Sequence, residues 1–491
     1  MEKYDVLVIG GGLLGCFAAR ELSRFKLNIA LAEAREDVCT GISRANTAIV
    51  YSAYDTAPGT LKTEMCLRAN AGFDVLCGEL GVRFSRCGSL MVSLGQRGDG
   101  VLRDKYAQGQ TNGVPGLRLL SGKEVLALES GLTDKVTAGL FSPTTGTVNP
   151  WELGLAAYEN AVKNGVSFFF GEKVSAISPV PGGYEVVSST KRFFVRGIIN
   201  CAGLYSDRVR ELCRRPAVRI FPKAGDYLIF DKSEGKRISR IIFHEPERKG
   251  KGLTAVPTVD GNLLVGPSER PTEEPWDFST DGSGIDQLLA LCEELLPSLD
   301  PSALIRSFGT LRPNPFHVSE MPDGSFQREK RGISSFTILS DDEGAFISLV
   351  GIKTPGLTCS RELGAYAARA VAKCLSAEEN PDFDPIRPAP LSLHNATASE
   401  RRAAASANPL YGRIICRCGG ISEGEIVDAI ARGAATVDGV KRRCGSGMGR
   451  CQGGFCSTRI MEIIAREKGI PISQITKDGS DSFIAGGKRH V

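Results

Sequence analysis

Long apolar runs are missing from this chain, and no stretch approaches the ~18 residues that a membrane-spanning helix needs. A basic, apolar leader is missing too, because MEKYDVLVIG runs straight into a strand-like segment. The expected location is therefore the cytoplasm, with any membrane contact peripheral and made through a partner. Charge of one sign is scarce: 60 Lys and Arg stand against 56 Asp and Glu, and a net of +4 gives no ground for nucleic-acid binding. The glycines follow no Gly-X-Y period, and a hydrophobic share of 42% is incompatible with wholesale disorder. Histidine is nearly absent, with only His244, His317, His394 and His490, which narrows the choice of a general base. At 491 residues the chain is too long for one core, so two or three domains are expected.

Cysteine, by contrast, is abundant. Without an export signal, fifteen cysteines read as reduced thiols or ligands rather than disulfides. Ten are scattered singly, while Cys416, Cys418, Cys444, Cys451 and Cys456 crowd together near the end. The same stretch, 411–491, holds 13 Lys and Arg against 8 Asp and Glu. That surplus of +5 reads either as a solvated face or as a surface that docks on an acidic partner.

The pattern along the chain predicts an α/β architecture. Residues 4–9 form an apolar run that enters Gly10-Gly11-Gly12, a helical pattern starts at Leu13, and 27–35 reads as a second parallel strand. Helices are predicted around Leu61–Leu80 and Trp151–Gly165, and strands at Gly88–Leu94, 197–203 and 345–352. Residues 376–410 combine Pro, Ser, Ala and charge without apolar periodicity and read as a linker.

Gly10-x-Gly12-x-x-Gly15 between strand and helix is a cradle for a dinucleotide pyrophosphate. Gly10 permits the turn, Gly12 admits close backbone approach, and Gly15 lets the helix pack on the sheet. The helix start at Leu13 and Leu14 adds N–H donors and partial positive charge. Glu33, eighteen residues after Gly15, can accept hydrogen bonds from ribose hydroxyls. FAD and NAD share this cradle. The late Ala202-Gly203 strand end and the return at Gly351-Ile352-Lys353-Thr354-Pro355-Gly356-Leu357-Thr358 resemble the D-amino-acid oxidase-like superfamily, which implies FAD. By that resemblance Ser43, Asn46, Thr47 and Val174 join the cofactor site.

Cys416-x-Cys418, 32 intervening residues and Cys451-x₄-Cys456 place four thiols in two close pairs, the ligand count of a [2Fe–2S] cluster. Ser422 and Glu425 form a capping box for the helix between the pairs. A structural zinc site and unrelated buried thiols are the competing readings. The block resembles the bacterioferritin-associated ferredoxin type of [2Fe–2S] domain, a pattern that leaves Cys444 as a spare thiol.

Together the two halves resemble the catalytic subunit of anaerobic-type glycerol-3-phosphate dehydrogenases. Thr40–Val50, Pro58-Gly59-Thr60-Leu61, Gly225-Asp226-Tyr227 and Leu311-Arg312-Pro313 all fall where relatives have similar residues. The resemblance implies FAD-binding parts at about 1–60, 141–218 and 335–375, a mixed-sheet substrate domain at 61–140 and 219–334, a small helical [2Fe–2S] domain at 411–475 and a tail at 476–491. It also implies Arg312 as the anchor of a small anionic substrate, since a guanidinium fork binds two oxygens at once.

Tyr51 departs from the family, whose members carry histidine there. Tyrosine, with a reference pKa near ~10, is a poor base. Tyr51, Lys353, His244 and His317 are thus the candidates for taking up a hydroxyl proton, unless the substrate is an amine. The expected function is a dehydrogenase acting on sn-glycerol 3-phosphate or a similar polyol phosphate, with electrons leaving through the cluster to a protein acceptor. Two alternatives stay open: oxidation of a 2-hydroxy acid or of an amino or imino acid, and a non-catalytic electron-transfer subunit.

Overall fold

The computed structural model describes residues 1–245, 252–272, 274–394 and 396–485, so His490 and the end of the tail lie outside them. The opening strand β1 (Glu2–Ile9) lies between two parallel neighbours, β2 (Ile29–Ala32) and the strand Arg192–Asn200. Val6, Leu7 and Val8 are fully buried, as a strand covered on both faces requires. Helix α1 (Leu13–Leu22) covers this centre, and Gly364 lets the helix Ser360–Cys374 approach it. A Cβ at Gly364 would lie 2.8 Å from the Ala18 nitrogen. The eight-stranded sheet is completed by Phe346–Val350, parallel to Arg192–Asn200, by Ser167–Phe169, parallel to β2 at one edge, and by antiparallel strands elsewhere.

A second, nine-stranded mixed sheet carries the substrate side. Its long pair is Lys223–Phe230 with Leu304–Arg312, antiparallel, in a register that sets Arg312 opposite Lys223 at the sheet end. The α/β class with a mixed-sheet second domain is therefore as the sequence indicates.

The helix Leu61–Leu80 has the predicted bounds, starting at the Thr60 cap and ending at Gly81 in the left-handed region. The segment expected as a linker is laid along the flavin region. Arg387 is buried against Glu159, Asn380 bonds the Arg24 carbonyl, and Ala398–Ala407 is a helix capped by Thr397 and Glu400. Beyond it, helices Glu423–Ala431, Val437–Cys444 and Ser457–Lys468 enclose their own apolar core around Ile426, Val440, Ile460 and Ile464. No helix among the described residues is long and apolar enough to cross a membrane.

Candidate active site and cluster module

The turn after β1 is shaped by what it excludes. Gly10 has φ +101°, and a Cβ on it would sit 2.7 Å from the Cys201 carbonyl. A Cβ on Gly15 would lie 1.8 Å from the Gly10 carbonyl, so neither position admits a side chain. Gly12 is the N-cap of α1 and offers no capping side chain; Ser43 Oγ accepts the Leu13 N–H at 2.9 Å, while Leu14 follows in the same uncapped turn. Glu33 accepts the N–H groups of Gly11 at 2.5 Å and Arg35 at 2.9 Å, and burial pushes its carboxyl up. Each of its oxygens still has a lone pair for a ribose hydroxyl. Val174 is buried beside Ile9, Ala32 and Ala202, and Gly203 turns the chain at φ +59°. This cradle fits a dinucleotide: a helix start whose N-cap residue carries no side chain, two glycines that tolerate no Cβ and an acid at the end of β2.

The segments expected around a flavin ring also meet. Asn46 bridges the Ser43 carbonyl and the Ala48 N–H, and Thr358 Oγ1 accepts the Tyr51 N–H at 3.0 Å and donates to the Ile49 carbonyl. Gly351 turns at φ +59°, where a Cβ would strike Pro315. Gly356 bonds the Lys353 carbonyl, and Pro355 and Leu357 accept the first N–H groups of the following helix.

On the opposite wall, Arg312 Nε is buried and has no hydrogen-bond partner. Burial pushes the Tyr51 phenol up to about 12, offset partly by a hydrogen bond with Thr47 and by the Arg312 charge. Tyr51 therefore stays protonated at neutral pH even more firmly than a free tyrosine and offers less phenolate to take a proton. Burial also raises Tyr227, and Arg312 again opposes the shift. Lys62, which sequence reasoning missed, is drawn into the same field. Burial lowers its ammonium, Asp55 raises it and Arg312 lowers it further. It directly follows Pro58-Gly59-Thr60-Leu61, the signal that could have marked it.

The histidine candidates fall away. Phe243 stacks on Tyr51 at 6.1 Å, and adjacent residues of a strand face opposite sides, so His244 faces away from Tyr51. His317 is exposed on the strand Pro315–Glu320.

In the C-terminal module the Sγ atoms of Cys416 and Cys418 lie 3.9 Å apart, and those of Cys418 and Cys451 3.7 Å apart. A hydrogen bond with Cys456 and the N–H groups of Gly447 and Gly419 lower the Cys416 thiol, and the same pairing raises Cys456. Small residues keep the space open: a Cβ on Gly449 would lie 2.6 Å from Cys418 Sγ. No three His, Cys, Asp or Glu among the described residues converge as a single-ion site. Two thiols per iron is the arrangement a [2Fe–2S] rhomb asks for. Cys444 stands apart; burial pushes it up to about 11, and it donates to the Val440 carbonyl.

The basic surplus of this module is spent within the chain. Asp37, four residues past Glu33, takes Arg443 through two hydrogen bonds of 2.7 and 2.9 Å and Arg442 at 3.1 Å, all buried. Arg432 pairs with Glu159 at 2.9 Å, and Arg450 with Asp231 at 2.7 Å. The acids it docks on belong to this chain: Asp37 and Glu159 in the flavin region and Asp231 beside the substrate sheet.

These two sites define an FAD-dependent oxidoreductase with an attached iron–sulfur module. The chain matches the DAO family model, FAD dependent oxidoreductase, over residues 5–370, and the BFD-like [2Fe-2S] binding domain over 414–466. It belongs to the DAO family and carries FAD and a [2Fe–2S] cluster. A glycerol 3-phosphate dehydrogenase of Caloramator mitchellensis is 37% identical over 99% of this chain and 98% of its own. The human mitochondrial L-2-hydroxyglutarate dehydrogenase is 29% identical over 57% of this chain and 64% of its own. The fold matches that of the FAD-bound, dithionite-reduced L-alpha-glycerophosphate oxidase of Mycoplasma pneumoniae with a TM-score of 0.71, at 24% identity over 80% of this chain and all of the other.

Proposed function

We propose that this enzyme dehydrogenates sn-glycerol 3-phosphate, or a close polyol phosphate, and delivers the electrons to a separate protein acceptor. The observation that carries the reading is Arg312, whose buried, unpartnered Nε lacks the anion that a guanidinium fork suits. The full-length likeness to a glycerol 3-phosphate dehydrogenase supports it.

In this account Gly10, Gly12, Leu13, Leu14, Gly15 and Glu33 hold the pyrophosphate and ribose of FAD. Ser43, Asn46, Thr47, Val174, Ala202, Gly203, Gly351, Pro355, Gly356, Leu357 and Thr358 complete its envelope. Cys416, Cys418, Cys451 and Cys456 hold the irons. When bound, FAD accepts two reducing equivalents and the cluster transmits single electrons. Arg312 binds the phosphate. Lys62, in the neutral amine form that burial favours, would accept the hydroxyl proton in place of Tyr51, and Lys353 at the return turn supplies the second candidate amine. Tyr51 packs between Phe243 and the Arg312 side and excludes water. Cys418 and the neighbouring Phe455, 84% exposed, give the cluster an open edge for an acceptor.

A second reading, oxidation of a 2-hydroxy acid, rests on the hydroxyglutarate dehydrogenase likeness, while Tyr51 in the family's histidine position favours an amine, which has no hydroxyl proton to lose. Anaerobic mixing of the purified enzyme with glycerol 3-phosphate, 2-hydroxyglutarate and hydroxyproline separates them. Bleaching of the flavin by glycerol 3-phosphate first and fastest is the expected result. Bleaching by the hydroxy acid or the amine alone would overturn the phosphate reading.

A further inference from the structure

Between the flavin region, the substrate sheet and the cluster module lies a cavity of about 1130 Å³. Trp151, Arg306, Cys418, Lys441 and Gly449 stand on its walls. Most cations around it are already matched. Arg44 and Arg442 both bind Asp478, Arg450 binds Asp231, and Lys477 binds Asp438. Two are not. Lys441 is only 9% exposed, and its ammonium has no hydrogen-bond or ion-pair partner among the described residues. Arg306 donates only to the Gln452 side-chain carbonyl, 3.0 Å away across the domain boundary.

A buried ammonium beside a guanidinium, with Asp438 of the same helix already paired to Lys477, is an expensive arrangement for a fold to keep. The field at Lys441 bears this out. Burial and then Arg306 lower its pKa to about 8, with Asp438 opposing and Lys477 and Arg442 adding to the fall. A bound oxyanion would supply the missing charge, and the cavity has room for one carried on a larger molecule.

We infer that Lys441 and Arg306 hold a phosphate-class anion, free or borne on a small metabolite, in the cavity between the substrate sheet and the cluster module. This site is separate from the one at Arg312. The two arginines lie on one strand, six residues apart, a span of about 20 Å. An anion here would tie the cluster module to the substrate sheet.

The test is equilibrium dialysis of the holoenzyme with radiolabelled inorganic phosphate in an Arg312→Ala background, which removes phosphate held at the flavin site and so keeps the result independent of the proposed substrate. One phosphate per chain is expected to remain. Lys441→Met should weaken it about tenfold or more, and Lys441→Arg should restore most of the affinity. Arg306→Gln, at an exposed residue, repeats the test should Lys441→Met fail to fold. Displacement by glycerol 3-phosphate at lower concentration than by cold phosphate assigns the anion to a metabolite; the reverse assigns it to the free ion. No bound phosphate in the Arg312→Ala enzyme, or binding indifferent to both the Lys441 and Arg306 changes, would overturn the site.

Discussion

The dinucleotide cradle draws on Gly10, Glu33, Ala202 and Gly356, spread over most of the flavin region, whereas the four cluster thiols fall within residues 416–456 of one small module. The cradle works by exclusion: backbone approaches backbone so closely at Gly10 and Gly15 that no side chain fits. The cluster site works by provision, with thiols at a strand end (Cys416), a helix cap (Cys456) and two turns, and glycines leaving the space around them open. One site is built into the core of the flavin region, and the other into the separate core of the module, where Cys416 and Cys456 are buried.

That contrast is most easily broken at Gly15. Gly15→Val should abolish FAD binding and destabilise the domain beyond the ~1–3 kcal/mol usual for overpacking, because its Cβ meets a carbonyl that cannot move away. Flavin absorbance per chain and a thermal melt report both effects. Cys451→Ser should remove the cluster, measured as acid-labile sulfide, while the FAD content stays at one per chain. Joint loss of both cofactors would contradict two separable sites.

Asp37 probes the seam between the regions. Asp37→Asn leaves Arg442 and Arg443 buried without their shared carboxylate and should cost about 3–5 kcal/mol, seen as an earlier transition of the module in urea. Acid acts on the same seam. The two arginines hold the Asp37 carboxyl below its ordinary value despite burial, and Arg442 and Arg44 do the same for Asp478. Their contribution is therefore complete above the unfolded value near ~4 and is lost as pH falls below it through the lower folded values. Tyr51→Phe should have the smallest effect. A phenol pushed up to about 12 takes no proton at neutral pH, so turnover should change less than about threefold with the pH profile unmoved. Lys62→Met should shift that profile.

Much of this was legible beforehand, for reasons of range. The glycine turn, the Ser422–Glu425 capping box and the thiol spacing are local patterns whose physics is contained in a few consecutive residues. The Asp37–Arg443 clamp is not, because its partners lie 406 residues apart and only the fold joins them. The basic surplus was visible, but its target was not. Lys62 is an ordinary lysine until burial and Arg312 change its ammonium. The helix Ala398–Ala407 had its own signal in Thr397-x-x-Glu400, hidden by a composition that reads as linker.

The central claim is that substrate electrons reach the cluster by way of the flavin. Anaerobic titration with glycerol 3-phosphate, following flavin absorbance and the paramagnetic signal of the reduced cluster together, tests it most directly. In the intact enzyme the flavin should bleach and the cluster signal should appear in the same titration, and in Cys451→Ser the flavin alone should respond. A flavin that bleaches while an intact cluster stays oxidised would contradict it.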